Sequence, residues 1–180
     1  MIDRVDLGIC AAYEYENDGP AAVALPGAML GGMPALWWAV APLHAAGWRV
    51  LLLWYEFVDR AQDPWRFVGD RAEAGISYLG GADLVVGKSL GTFAAPLDLP
   101  AVWLTPLLTH PDLVTALRAR SQPSLFVGGT DDEAWDGTLA RELGETLELP
   151  GADHGLARLD QAQAIADAVT SFSGGFGRRP

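Results

Sequence analysis

The residues best suited to chemistry in this chain lie in the run 84–92, L-V-V-G-K-S-L-G-T. Ser89 stands between Gly87 and Gly91, and an apolar, strand-like stretch leads into it. This G-x-S-x-G spacing suits a nucleophilic serine at a strand-to-helix elbow. The serine is held there in a cramped backbone conformation, and glycines two residues to either side leave room for it. The helix that follows points N–H groups back at the serine, which makes the N–H of Leu90 an oxyanion donor. A blander reading also exists: in a chain with 21 glycines, Gly-x-Ser-x-Gly also describes a polar turn at a strand end. Gly87-Lys88-Ser89 further mimics the end of a phosphate-binding loop. That motif, G-x-x-x-x-G-K-[ST], needs glycine at position 82, where this chain has Ala82. Its open cradle would fall on Asp83-Leu84-Val85-Val86, which reads as strand. Spacing and local structure both reject it.

A serine hydroxyl is a weak nucleophile and needs a base, which in turn needs an acid to orient it. Elements must therefore bring such groups to the elbow. The pattern along the chain supplies them. Short apolar runs at 21–25, 48–55, 83–87, 101–104, 124–127 and 146–149 read as strands, and 8–15 as a short first strand. The run 48–55, W-R-V-L-L-L-W-Y, is nearly all apolar, as in a central parallel strand covered on both faces. Helical stretches fall between them. One spans 33–46, with Pro34 in its first turn and Gly47 past its end. Another starts at Pro64 behind Asp63 and runs to about Leu79, before Gly80-Gly81. Further helices are predicted at 111–120, 138–143 and 159–172, the last with Leu159, Ala162, Ile165, Ala166 and Val169 on one face. Alternating strands and helices predict a doubly wound, mostly parallel α/β sheet with helices on both faces. Residues 1–180 read as a single domain, with 173–180 a frayed tail.

Composition narrows the function classes. The net charge of −11 opposes binding to nucleic acid or to an anionic membrane. The single cysteine, Cys10, makes no internal disulfide, and no cysteine cluster suggests a metal. The N-terminus lacks a basic region followed by an apolar one, and no apolar run reaches a membrane span. The expectation is a cytoplasmic protein with no nucleic-acid or membrane partner, no cofactor and no metal.

In a sheet of this kind ligands sit beyond the C-terminal strand ends. Those ends carry Gly27-Ala28-Met29, Glu56, Lys88-Ser89-Leu90, Thr105 with His110 further on, Gly129-Thr130-Asp131-Asp132, and Asp153-His154. Ser, Asp and His thus follow one another in the order expected of a serine hydrolase built on such a sheet. The chain here resembles the α/β-hydrolase superfamily over roughly 21–172. The likeness rests on P-G-A after the first central strand, G-K-S-L-G at the elbow, G-T-D-D after a late strand, and P-G-A-D-H-G near the end. It is similar in style to small, cap-less esterases and dienelactone-hydrolase-like proteins. It differs from dienelactone hydrolases in having Ser for Cys. It also looks too short at the N-terminus for the usual pair of leading strands, and no insertion is long enough for a cap domain.

The resemblance implies roles residue by residue. Ser89 is the nucleophile and His154 the base that later protonates the leaving group. The acid is Asp132 or its neighbour Asp131, with Asp132 preferred and Asp136 a distant third. The second oxyanion donor is the backbone N–H of Ala28, with Met29 the alternative. His110 is the reserve base, although it precedes the acid in the chain. His44 reads as a packed or surface residue. Trp135 and Met29 are assigned to the substrate cleft, and most of the seven tryptophans to the core. Glu56 faces either the cleft or solvent, and Lys88 is a solvated or loop-fixing side chain. The expected function is hydrolysis of a small ester or thioester through an acyl-enzyme. The alternative is a non-catalytic protein of the same fold that binds a ligand or partner. The short N-terminus would leave a sheet edge for a second copy to pair with, giving a homodimer.

Overall fold

A computed structural model describes residues 2–28, 33–57, 59 and 62–176. One eight-stranded sheet dominates them. Its strands are β1 (Ile2–Asp6), β2 (Ala11–Tyr15), β3 (Ala21–Leu25), β4 (Arg49–Trp54), β5 (Leu84–Lys88), β6 (Ala101–Leu104), β7 (Ser124–Gly129) and β8 (Glu145–Leu149). Their spatial order is β1-β2-β4-β3-β5-β6-β7-β8. Strands β3 to β8 run parallel, and β2 pairs antiparallel with β1 and β4. The helices are α1 (Ala35–Ala45), α2 (Pro64–Leu79), α3 (Pro111–Arg118), α4 (Gly137–Leu143) and α5 (Leu159–Ser173), with a 3₁₀ helix, Ser89–Leu97, after β5.

The period-2 alternation of the strands builds two cores. On one face Val23, Leu25, Leu51, Leu53, Val85 and Trp103 pack against Phe67 and Val68 of α2, Phe93 of the 3₁₀ helix and Leu113 of α3. On the other, Ala22, Ala24, Val50, Leu52, Val86 and Val127 pack against α1 and α5. Consecutive residues such as Leu51 and Leu52 serve opposite cores. That is why the central strands read as unbroken apolar runs. Local signals set the helix ends. The Asp63 carboxylate accepts from the Trp65 N–H at the start of α2, and Gly80 closes that helix at φ +75°.

Two expectations are corrected. The N-terminus does hold a pair of leading strands. β1 is the edge strand and touches one core only through the partly buried Val5, so Ile2-Asp3-Arg4-Val5-Asp6 carries no apolar run to mark it. A turn closed by Leu7 N–H to the Cys10 carbonyl (3.0 Å) returns the chain into β2. The sheet edge is therefore β1 itself, not one left by missing strands. The helix after the elbow is 3₁₀ and contains Pro96, which has no N–H to continue an α-helical ladder. The predicted tail 173–180 is described only to Phe176, whose ring lies 5.0 Å from that of Phe172.

Successive crossovers leave β3 in opposite directions, to β4 on one side and, after β4, to β5 on the other. The chain after β3 and the chain after β5 thus diverge and open a crevice at their C-terminal ends. β3 and β5 are direct neighbours, with Leu25 opposite Gly87.

Candidate active site

The elbow forms where β5 ends. Lys88 is still extended (φ −108°, ψ 130°), and Ser89 turns to φ +50°. A positive φ at a non-glycine residue is strained and persists only where the surroundings enforce it. The flanking glycines do so by permitting close backbone approach. A Cβ on Gly87 would lie 2.7 Å from the Gly91 carbonyl oxygen and from the Trp103 ring. One on Gly91 would lie 2.5 Å from the Leu25 carbonyl oxygen. The 3₁₀ helix is thereby pressed onto β3 and β6, and the Thr92 hydroxyl donates to the Ser89 carbonyl at 2.7 Å.

The structure brings Ser89, His154 and Asp132 together. His154 Nε2 lies 2.8 Å from Ser89 Oγ, and His154 Nδ1 lies 2.9 Å from Asp132 Oδ2. Asp132 and His154 come from the loops after β7 and β8. A Cβ at Gly129 would collide with the Ala152 backbone, so the glycine allows those loops to touch. Asp131 N–H donates to the Ala152 carbonyl at 3.0 Å, and Asp132 N–H to the Gly129 carbonyl at 3.1 Å. This turn sends the Asp132 side chain inward and leaves Asp131 exposed, its carboxylate accepting from the Thr130 hydroxyl at 3.3 Å. The other oxygen of Asp132 accepts from the Ala134 N–H at 2.9 Å. Burial acts to raise the Asp132 pKa. The hydrogen bonds from His154 and Ala134 and the charge of Lys88 outweigh it and hold the carboxyl below its ordinary range.

The geometry of the three side chains is that of a proton relay: a buried anion fixing an imidazole whose second nitrogen faces a hydroxyl. The His154 side chain is 41% exposed, so the crevice is open to solvent on that side. Gly27 sits against Ser89, since a Cβ there would lie 3.5 Å from Ser89 Cβ. Ala28, the next residue, is half-buried and its carbonyl accepts from Phe57 N–H at 3.0 Å. Leu90 is buried directly after the serine. Met29 lies outside the described residues.

The remaining candidates are placed elsewhere. His110 caps α3, with Nδ1 accepting from Leu113 N–H at 3.4 Å and its ring 5.3 Å from Phe93. His44 Nδ1 is 2.8 Å from the Asn17 amide. Asp136 caps α4 through the N–H groups of Thr138 and Leu139. Trp135 donates its indole N–H to Glu148 at 2.9 Å and covers Gly128, so its described contacts join the loop after β7 to β7 and β8. Glu56 is exposed. Lys88 is buried, not solvated, and its ammonium lies 3.2 Å from Thr105 Oγ1 and 3.0 Å from the His154 carbonyl oxygen. Sequence reasoning left Lys88 between two readings because a lysine in a strand-end motif is exposed by default. The one available signal was its position as the last residue of a strand buried throughout. Among the described residues no cluster of His, Cys, Asp and Glu could hold a metal ion, and no helix is long and apolar enough to cross a membrane.

No protein-family model and no curated protein matches the sequence. Solved structures do match the fold. Est1E from Butyrivibrio proteoclasticus is 13% identical, with a TM-score of 0.77 over 97% of this chain and 98% of its own. A dienelactone hydrolase from Anabaena variabilis is 15% identical, with a TM-score of 0.77 over 99% and 98%. The esterase domain of a Rhodothermus marinus protein is 15% identical, with a TM-score of 0.68 over 92% of each chain. The architecture is thus a mostly parallel, doubly wound sheet with an elbow serine at its switch point. This chain has the α/β-hydrolase fold.

Proposed function

We propose that this chain is a serine hydrolase that cleaves a small carboxylic ester or thioester through an acyl-enzyme. One observation carries the reading: the unbroken line from Asp132 Oδ2 through both nitrogens of His154 to Ser89 Oγ, at 2.9 and 2.8 Å. His154 takes the Ser89 proton as Oγ attacks the carbonyl carbon, and Asp132 stabilises the imidazolium that forms. The tetrahedral oxyanion is received by the backbone N–H groups of Leu90 and Ala28, each worth about 2.7–4 kcal/mol to the transition state. The imidazolium then protonates the leaving alcohol or thiol, and water repeats the sequence on the acyl-enzyme. No step calls for a cofactor or metal. Met29 and Trp135 are the proposed walls for the acyl or leaving group. The esterase and hydrolase names of the similar structures support the same class.

The test is fluorophosphonate labelling of the wild type and of Ser89→Ala, read by intact mass. One adduct on the wild type and none on the variant is the expected result. A folded wild type that takes no adduct would overturn the proposal and favour a ligand-binding role for the crevice. A set of p-nitrophenyl esters of increasing acyl length then reads the preferred substrate.

A further inference from the structure

Lys88 is the one buried cation next to the relay among the described residues, and the steps above do not use it. Its stem runs beneath the loop after β3, with Cδ 4.0 Å from where a Cβ on Gly27 would stand. Its ammonium donates to two acceptors on two other loops. One is Thr105 Oγ1 after β6, at 3.2 Å, and the other is the backbone carbonyl of His154 after β8, at 3.0 Å. Thr105 is itself fully buried and held at φ +42°, a conformation a β-branched residue adopts only under constraint. That strain turns a hydroxyl to the ammonium at the end of β6. Burial works against the charge on this ammonium, and the negative charges of Asp132 and Asp153 favour it.

The loop that carries His154 has no regular structure of its own. Its ends are pinned. The Ala152 carbonyl accepts from Asp131 N–H at 3.0 Å, and the Leu156 carbonyl from the Trp38 indole at 3.2 Å. Between them, Asp153 makes local turns to the N–H groups of Gly155 and Leu156. The bond from Lys88 is the described contact that ties the His154 backbone to the nucleophile strand. Asp132 orients the ring, but a ring can be correctly oriented and still stand too far from the serine.

We propose that Lys88 is a positioning residue: it clamps the His154 main chain to the elbow strand and so sets the distance from His154 Nε2 to Ser89 Oγ. The proposal rests on the relay reading of Ser89, His154 and Asp132. It also explains why the elbow reads G-K-S-L-G. The residue before the nucleophile is covalently fixed to it, and a long flexible donor at that point reaches the end of the neighbouring β6 and the loop that follows β8. An effect through geometry is felt in turnover, because misplacing a reacting group by about 1 Å costs about 10²-fold. It is not felt in ground-state binding.

The experiment is a double-mutant cycle of Lys88→Met and His154→Ala, with Thr105→Val as a second probe. Methionine keeps the stem and removes the donors. The expected result is a loss of kcat of about 10–100-fold in Lys88→Met with KM unchanged and melting temperature not reduced. Thr105→Val gives a smaller loss of the same kind, since the bond to His154 remains. In the His154→Ala background, Lys88→Met has no further effect, because the positioned base is gone. The proposal is overturned if Lys88→Met keeps kcat within about twofold of wild type. It is also overturned if the variant lowers the residual rate of His154→Ala by the same factor as that of the wild type. A wild type that takes no fluorophosphonate adduct defeats the relay itself. A labelled wild type with Lys88→Met labelled at the same second-order rate defeats the positioning role alone.

Discussion

Replacing Asp132 by asparagine changes one atom, and the structure says where the change must go. Each carboxylate oxygen has one hydrogen-bond partner: Oδ2 faces His154 Nδ1 and Oδ1 accepts from Ala134 N–H, both at 2.9 Å. The new NH₂ must take one of these places. Turned to Ala134, it would set two buried donors against each other and leave one unsatisfied, at about 1–3 kcal/mol. Turned to His154, it keeps every hydrogen bond, provided that Nδ1 becomes the acceptor. The imidazole proton then moves to Nε2, which points at Ser89 Oγ from 2.8 Å. The base now presents a proton where it should receive one. The second arrangement is the cheaper, so the fold survives and the chemistry does not. The expected loss is about 10⁴-fold in kcat, or about 5.5 kcal/mol of transition-state stabilisation. The assay is p-nitrophenyl ester turnover beside the second-order rate of fluorophosphonate labelling, with circular dichroism to confirm folding. Asp131→Asn is the control, because the Asp131 side chain is exposed and its described hydrogen bond is to its neighbour Thr130; it should stay within about twofold of wild type. An Asp132→Asn variant with more than about a tenth of wild-type kcat would refute the tautomer argument. So would a larger loss in the Asp131 variant.

Two further predictions concern stability. Burial pushes the Lys88 ammonium down from 10.5 to about 8, against the pull of Asp132 and Asp153. Between those values the unfolded chain holds a proton that the folded one has lost, so wild-type stability rises with pH there, and the cost of burying the charge is fully present below about 8. Urea unfolding at about pH 7.5 and pH 10 should move the difference between wild type and Lys88→Met by about 2 kcal/mol in the wild type's favour; a constant difference would show that the ammonium is not desolvated. Gly91→Ala sets a Cβ 2.5 Å from the Leu25 carbonyl, backbone against backbone, and should destabilise by about 1–3 kcal/mol in urea titration. An unchanged midpoint would mean that the elbow helix can lift off β3 freely.

Most of the frame was legible because of how burial works in a parallel sheet. β3 to β7 are covered on both faces, so their sequences are apolar but for end residues such as Arg49 and Lys88, and a glycine or proline marks where most of them stop. The helix ends carried their own signals in Asp63, Gly80 and Pro111. β1 was hidden for the opposite reason. An edge strand that meets a core only through Val5 has little need of apolar residues, so Ile2–Asp6 looks like any polar terminus. Tryptophan placement was legible only as a tendency. Trp103 is fully buried under Gly87, whereas the other contacts of Trp135 depend on which strand its loop folds over.

What the sequence by itself determined is chemistry in one dimension: a serine at an elbow, an acidic pair after one strand, a histidine after a later one, all at ends that a doubly wound sheet gathers on one side. Its preference for Asp132 over Asp131 rested on resemblance alone, because neighbours in a turn differ only in direction. That choice belongs to the contact between Gly129 and Ala152, two residues on different loops whose approach turns one carboxylate inward and the other to solvent. Lys88 was undecided for the same reason. Its two acceptors, Thr105 and the main chain of His154, come near it only because β6 ends beside β5 and the loop after β8 reaches back past the end of β7. Residue type and spacing are local properties of the chain, while direction and distance between loops exist only once the sheet has formed.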